Sequence, residues 1–353
     1  MSVYIAQGVF STLAMWLGWH LDRKATTENH RKNYKLIGTI CSGAIVYLVM
    51  ALRSNQGLDY IHLYVYKWNM YRVGALSGIG SEPLIDGILF LLGKISPNPQ
   101  LIMAVFSAFV VVPLWIAIYH LSETPHINVA LFFLARHVFA SMAAFDIEIA
   151  LSFVALACVF MQRDEFWLYT MFIAIGGLSY YPVLLFIPLY LLKRMKIDSI
   201  IWILLTAAVS SVIRLVKIIT EADDVKMYIV TSLPMYNSWF LFEALFIAGL
   251  LIVIADRLPD DVIKGTERFE LNINYICIPV ILNASLFGAP ETWVIMWSYL
   301  NILLLPKLIS VIEDKKLRLL VSACLLLVML YVGYNKIWLG NVFNPLPYQF
   351  IFS

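Results

Sequence analysis

The chain has 353 residues, of which 61% are hydrophobic and 14% are charged, and its formal net charge is +2. Soluble domains carry about 25% charged residues, so this composition excludes a soluble enzyme and predicts a chain embedded in a membrane. The small net charge argues against a nucleic-acid partner. Four cysteines without paired spacing predict neither a metal site nor a disulfide framework.

Apolar runs of roughly membrane-spanning length follow one another along the whole chain, separated by short polar or basic breaks. They predict an all-α polytopic integral membrane protein with about 11–12 transmembrane helices. No repeat or linker interrupts the pattern, so we expect a single transmembrane domain over residues 1–353. The predicted spans are residues 3–20, 36–52, 100–119, 127–142, 145–161, 166–178, 180–193, 198–218, 238–255, 271–288, 292–311 and 318–337.

Two of these spans, residues 166–178 and 180–193, are shorter than a normal span. Gly176, Gly177 and Pro182 lie near their junction and favour a break in helical structure. The pair is either two tilted helices or one broken helix, and both interpretations are open.

Basic residues between the spans predict the orientation of the chain. With the loop 20–35 inside, the outside segments hold about half as many basic residues as the inside loops. This orientation places both termini outside, together with the outer segment of residues 53–99. Counting residues 82–95 as a full span would invert every later loop, so we interpret this stretch as a re-entrant or interfacial helix.

The outer segment combines polar residues with regularly spaced aromatic rings. Asp59 is a candidate helix cap, and after it four aromatic residues recur at helical spacing: Tyr60, Tyr64, Trp68 and Tyr71. Such rings are typical of an interfacial helix at headgroup level. They would also provide a stacking surface for the sugars of a glycan tied to a membrane lipid, and the two interpretations are compatible.

Three arginines map to the predicted outer face: Arg53, Arg136 and Arg214. Arg136 and His137 fall within a predicted span, where a cation is costly and is usually paired or functional. An ion pair with Asp146 or Glu148 is one interpretation of Arg136. The other is a pyrophosphate site, because a guanidinium binds two phosphate oxygens through parallel hydrogen bonds.

A second outer-face feature is the turn GLSYYP, which carries Tyr180 and Tyr181. An aromatic belt is the alternative interpretation of these two rings. The sequence contains no GxSxG, HExxH or P-loop motif, which argues against hydrolase, metalloprotease and ATP-driven pump functions.

The outer segment resembles the first outer loop of the EpsG-like branch of Wzy-type polysaccharide polymerases. The resemblance rests on Arg53, Gly57, Asp59, Tyr60 and Tyr64, followed by Glu82 and Pro83 before an apolar helix. Similarity continues in LARHVFAS around Arg136, in GLSYYPVLLFIPLYLL and in NPLPYQF, so it spans most of the chain.

The chain departs from the family pattern at three places. His137 stands where the family usually has glutamine, and Tyr180 and Tyr181 fall where a histidine is common. Residues 291–299 lack an arginine that is often found before the late span, which removes the role of that residue here.

The resemblance implies a GT-C-like multi-spanning glycosyltransferase in the bacterial inner (cytoplasmic) membrane. It would join oligosaccharide repeat units carried by undecaprenyl pyrophosphate on the periplasmic face, moving the growing chain to the non-reducing end of a new unit. No metal or cofactor is expected. A flippase and a chain-length regulator are the expected partners, and the product could be O-antigen, capsule or exopolysaccharide.

The resemblance also implies roles for the candidate residues. Arg136 and Arg214, helped by Arg53, would stabilise the leaving pyrophosphate, and Asp59 or Glu82 would accept the proton of the attacking hydroxyl. Attack opposite the leaving group would invert the anomeric centre. The residues expected to bind substrate are Arg53, Tyr60, Tyr64, His137, Tyr180 and Tyr181.

Two other functions fit a membrane chain with these outer polar residues. One is a glycosyltransferase that uses a polyprenyl-phosphate sugar donor, although such enzymes typically show an acidic pair and Asp59 stands without a close acidic neighbour. The other is a flippase or transporter for lipid-linked glycans. Transporters often carry broken helices in corresponding halves, and the sequence shows one broken pair.

Overall fold

A computed structural model describes most of the first 195 residues and separate segments of the rest. Helices and their connections make up the described part, with no β-strand among these residues. The described residues are 2–25, 28–53, 60–76, 78, 80–195, 204, 208, 211–212, 243, 246–251, 266–283 and 290–335.

The α-helices of the described part follow one another in the order of the predicted spans, with short helices between them. They are α1 (Ser2–Lys24), α2 (Glu28–Ala51), α3 (Tyr66–Arg72), α4 (Pro83–Ile95), α5 (Gln100–Leu121), α6 (Pro125–Leu134), α7 (His137–Ala143), α8 (Phe145–Gln162), α9 (Phe166–Gly177), α10 (Phe186–Leu189), α11 (Thr266–Asn283), α12 (Pro290–Ser310) and α13 (Lys315–Gly333). A short π-helix, Tyr60–Val65, precedes α3.

Within the described residues, four helical segments are long and apolar enough to cross a membrane: Asn33–Ala51 of α2, α5, α8 and α13. Helices α6 and α7 qualify as one span that is bent by 54°. The prediction of an all-α membrane protein is therefore confirmed. The predicted spans 198–218 and 238–255 lie largely outside the described residues.

Helix α4 occupies the stretch that was expected to be re-entrant or interfacial. Its 13 residues measure about 20 Å at 1.5 Å per residue, which is less than the ~30 Å of a hydrocarbon layer. The length agrees with that expectation, which stays a prediction.

The short pair that follows α8 is a helix succeeded by tight turns. Helix α9 ends at Gly177, and residues 181–194 form two 3-10 turns that flank the single turn of α10. Pro182 and Pro188 lie in this run. Proline lacks the N–H donor and its ring clashes with the preceding turn, so two prolines six residues apart disfavour a continuous α-helix there.

The chain divides into two compact units, Met1–Pro188 with Gly333–Ser353 and Leu189–Val332. In the second unit, Asn274 of α11 accepts a hydrogen bond from Trp297 Nε1 of α12 at 2.6 Å, and its side-chain amide pairs with that of Asn301. Such buried hydrogen bonds hold membrane helices together. A single domain over residues 1–353 stays a prediction.

Helices α1 and α2 approach closely because two glycines face each other. A Cβ on Gly18 would lie 2.6 Å from the Cα of Gly38 and 2.7 Å from the carbonyl oxygen of Tyr34. Nearby, Ser42 bonds Ser11 at 2.8 Å and accepts from Trp115 Nε1 at 3.1 Å, which joins α1, α2 and α5. Small residues permit this approach of helix backbones in membranes.

Gly18→Ala is expected to destabilise the protein by about 1–3 kcal/mol, because the added methyl group overpacks the contact between α1 and α2. The midpoint of thermal denaturation in detergent measures the effect. Gly87→Ala is the matched control: Gly87 also lies in a helix, but a Cβ there would meet nothing within 4 Å. Equal shifts in the two variants would contradict the prediction.

Candidate functional site

Arg53 lies where the end of α2 meets the start of α5. Its backbone carbonyl accepts a hydrogen bond from Gln100 Nε2 at 2.9 Å, and the same amide also donates to the carbonyl of Ala51. The side chain of Arg53 is fully buried. Its guanidinium carbon lies 4.9 Å from the centre of the Phe145 ring, a cation–π distance. The predicted substrate arginine therefore sits inside the first unit, against the first residue of α8.

Tyr64 is anchored to the same turn of α8. Its hydroxyl accepts from the backbone N–H of Phe145 at 3.0 Å and donates to Asp146 Oδ1 at 3.4 Å. The ring packs edge-on against Phe106 and Phe145. Tyr64 is buried, so its observed contacts fix the outer segment to α8, and its predicted contact with substrate stays a prediction.

Arg136 occupies the break between α6 and α7. Its φ of 75° places it in the left-handed region, which costs a non-glycine residue roughly 1–2 kcal/mol. Strain of this kind clusters at functional sites. The side chain is only 6% exposed, and Nε donates to the carbonyl of Ala135 at 3.4 Å. A buried cation is thus held at a strained break between two apolar helices that together are long and apolar enough for one span.

The two acids in the first turn of α8 have their own contacts. Glu148 Oε1 lies 2.9 Å from His137 Nδ1, and both side chains are buried. Asp146 accepts from Tyr64. Because Glu148 contacts the residue that follows Arg136, the structure links it to Arg136 through His137.

A salt-bridge cluster that sequence reasoning missed stabilises the outer segment. Lys67 Nζ, on α3, lies 3.1 Å from Asp86 Oδ1 and 3.4 Å from Glu82 Oε2. Asp86 Oδ2 accepts from the backbone N–H of Gly80 at 2.8 Å. Glu82 and Asp86 are four residues apart and so share one helix face, but nothing in the sequence pairs that face with Lys67.

Protonation in this cluster follows from its contacts. Burial lowers the pKa of Lys67, but the hydrogen bonds and negative charges of Asp86 and Glu82 outweigh it, and the pKa is raised. Lys67 therefore stays charged at neutral pH. Burial, with the charge of Asp86, raises the pKa of Tyr71, so its phenol remains a donor to the carbonyl of Gly78 at 3.0 Å.

The two carboxylates of the cluster differ in accessibility. The side chain of Asp86 is 2% exposed and that of Glu82 is 26% exposed. Asp86 is therefore the structural acid of the cluster, while Glu82 remains accessible to a ligand.

The start of α4 contacts the predicted tyrosine turn. The backbone N–H of Leu84 donates to the carbonyl of Leu178 at 2.9 Å, which joins the outer segment to GLSYYP. Tyr181 is 73% exposed, and its ring centre lies 6.2 Å from that of Tyr180. The start of α4 therefore contacts the turn that leads into the two tyrosines, and their role in substrate binding stays a prediction.

Some predicted site residues fall outside the described part of the chain. Asp59 and Arg214 are among them, as is the side chain of Tyr60. Glu243, to which the sequence assigned no role, accepts from Ser298 Oγ at 3.3 Å in the second unit.

Asp86→Ala is expected to destabilise the outer segment by about 1–3 kcal/mol, because Lys67 and the N–H of Gly80 both lose a charged acceptor. The expected result is a lower thermal midpoint in detergent and faster proteolysis within residues 66–82. Glu82→Ala, which removes the more exposed partner, should have a smaller effect. A larger loss from Glu82→Ala than from Asp86→Ala would contradict this assignment.

Comparison with known proteins identifies a family. The EpsG family matches residues 37–350, which include every described site residue. No curated protein and no solved structure matches the chain. The family match covers nearly the whole chain and agrees with the resemblance carried by the outer segment and the Arg136 motif. The chain therefore belongs to the EpsG family, a family of Wzy-like polysaccharide polymerases.

Proposed function

We propose that this protein polymerises oligosaccharide repeat units carried by undecaprenyl pyrophosphate on the periplasmic face of the inner membrane. Family membership supports polysaccharide polymerisation. One structural observation carries the proposal further: a single turn of α8 contacts Arg53 through Phe145 and the Arg136 break through Glu148. Two buried arginines organised by one turn suit the phosphates of a lipid-linked donor.

In the proposed reaction, a hydroxyl at the non-reducing end of the new unit attacks the anomeric carbon of the growing chain. The bond from that carbon to the pyrophosphate oxygen breaks, and undecaprenyl pyrophosphate leaves with the electron pair. Arg136 and Arg53 stabilise the negative charge that develops on the leaving group. Arg214 is proposed to assist them on the strength of the family resemblance.

A carboxylate accepts the proton of the attacking hydroxyl. Among the described residues, Glu82 suits this role because its side chain is accessible and because α4, which it precedes, contacts the turn before Tyr180 through the Leu84 N–H and the Leu178 carbonyl. Lys67 holds its carboxylate in place. Asp59 is retained as the second candidate base. Attack from the face opposite the leaving group inverts the anomeric centre.

The proposal includes a GT-C-like architecture, both termini outside, and no metal or cofactor. Tyr180 and Tyr181 supply aromatic faces for sugars, and Tyr60 and Tyr64 line the same outer segment. A flippase delivers the lipid-linked units, and a chain-length regulator sets the polymer size.

A gene deletion tests the proposed function. Surface polysaccharide from cells without the gene is run on a gel beside that from the same cells complemented with the wild-type copy. Polymerisation predicts that a ladder of long chains collapses to one repeat unit and returns on complementation. A repeat unit one sugar shorter would indicate a polyprenyl-phosphate sugar transferase instead. Complete units retained on the cytoplasmic side would indicate a flippase.

A further inference from the structure

A buried histidine–glutamate pair joins α7 to α8. His137 is the first residue of α7, and Glu148 lies in the first turn of α8. Their side chains meet at 2.9 Å between Nδ1 and Oε1, and both are at least 98% buried. Buried polar groups inside a membrane protein are costly unless they are paired. The pair therefore constrains where α7 begins.

The pair borders the strained residue directly. The backbone N–H groups of Phe139 and Ala140 both donate to the carbonyl of Arg136 at 2.9 Å, so the first turn of α7 starts from Arg136. The ring of His137 also stacks on Phe132 of α6, with centres 6.4 Å apart. A left-handed non-glycine residue persists only where its surroundings enforce it. His137 therefore contacts α6, on the other side of the break, and α8.

Glu148 contacts His137 from the first turn of α8, a regular α-helix. Within the described part of the chain, the second carboxylate oxygen of Glu148 has no hydrogen-bond partner. The side-chain hydrogen bond of Glu148 therefore goes to His137. The same turn of α8 carries Phe145, whose ring packs against the Arg53 guanidinium and whose backbone N–H donates to the Tyr64 hydroxyl.

We propose that Glu148 is a positioning residue that acts through His137 to fix the guanidinium of Arg136 relative to that of Arg53. The two arginines then meet one pyrophosphate group in a fixed geometry. In this role Glu148 acts on the reaction through His137 and Arg136 and not through a contact of its own with the substrate. This inference rests on the proposed polymerase function and adds the pair of residues, Glu148 and His137, that positions the two guanidiniums.

The test uses the full-length protein in lipid nanodiscs with a synthetic undecaprenyl-pyrophosphate-linked repeat unit, and it measures the polymerisation rate over a range of substrate concentrations. Glu148→Ala is expected to lower the rate about 100-fold, since misplacement of a catalytic group by about 1 Å has that effect. Glu148→Gln keeps a hydrogen-bonding side chain of the same size. It is expected to retain activity within about tenfold of wild type, because only the charge assistance is lost.

Ser42→Ala is the matched control. It removes a buried polar contact of the first unit, to Ser11 and Trp115, away from α7 and α8. It is expected to keep the wild-type rate despite a similar loss of stability. A drop in Ser42→Ala equal to that in Glu148→Ala would overturn the positioning role.

A double substitution separates positioning from general damage. Arg136→Lys keeps a positive charge but loses the two parallel hydrogen bonds. If Glu148 acts through Arg136, Glu148→Ala adds little further loss in that background. Equal fold losses in the wild-type and Arg136→Lys backgrounds would overturn the inference. So would a wild-type rate in Glu148→Ala alone.

His137→Phe provides the same test if Glu148→Ala does not fold. The phenyl ring keeps the stacking on Phe132 but cannot bond Glu148, and it is expected to show the same loss and the same dependence on Arg136. If the inference is wrong, the Glu148→Ala and His137→Phe variants polymerise as fast as the wild-type protein. If the proposed function is wrong, the wild-type protein itself forms no polymer in this assay.

Discussion

Arg136→Ala is expected to abolish long polysaccharide chains and to leave single repeat units on their carrier. In the proposed mechanism, Arg136 stabilises the charge of the leaving pyrophosphate, and removing such a preorganised group lowers a rate by about 100- to 1000-fold. The side chain is buried at the break between α6 and α7, so no exposed residue can substitute for it. The measurement is a gel of surface polysaccharide from complemented deletion cells at matched protein levels.

Arg163→Ala is the control for this substitution. Arg163 follows α8 at its far end and its guanidinium packs over Phe160 at 5.8 Å, so its removal also deletes a cation–π contact. This control is expected to keep the full ladder. Long chains of normal distribution from Arg136→Ala would refute the pyrophosphate role.

Arg136→Gly separates function from stability. Glycine adopts a φ of 75° without the penalty that alanine meets there. Arg136→Gly is therefore expected to be more stable than Arg136→Ala by about 1 kcal/mol, yet equally inactive. A structural role for Arg136 would instead predict that activity follows stability across the two variants.

The order and position of the helices could be predicted because apolar runs and their basic breaks are local features of sequence. The 54° bend between α6 and α7 could not, since the stretch LFFLARHVFAS contains neither proline nor glycine. The bend coincides with contacts from another helix, notably that of Glu148 with His137. Hydrophobic periodicity reports only local pattern, so it cannot predict a bend that depends on contacts with another helix.

The candidate site was predictable in composition but not in pairing. The sequence singled out Arg136 because a cation within a predicted span is costly, Arg53 because it maps to the same outer face, and Tyr64 because of its helical spacing with other aromatic rings. It did not link Arg53 or Tyr64 to α8, and the structure shows that the first turn of α8 contacts Arg53, Tyr64 and the residue after Arg136. Lys67 and Asp86 escaped notice because their contact spans 19 residues in sequence and joins two short helices.

Arg53→Met is expected to lower polymerisation about 100-fold while the protein still folds. Methionine fills most of the volume beneath the Phe145 ring without a charge, so packing against α8 survives and the second cation is lost. Arg72→Met is the matched control, because the Arg72 guanidinium also packs over a ring, that of Trp68 at 5.3 Å, and Arg72 is exposed. The lengths of the polysaccharide ladders measure both variants.

The double variant Arg53→Met with Arg136→Ala decides whether the two arginines act together. If both bind one leaving group, removing the second adds much less than its single effect, since residues that act as a unit are not additive. If the fold loss of the double variant equals the product of the two single losses, Arg53 and Arg136 act at separate steps. A full ladder from Arg53→Met would make Arg53 a packing residue of the joint between α2, α5 and α8, with Arg136 left as the cation at the leaving group.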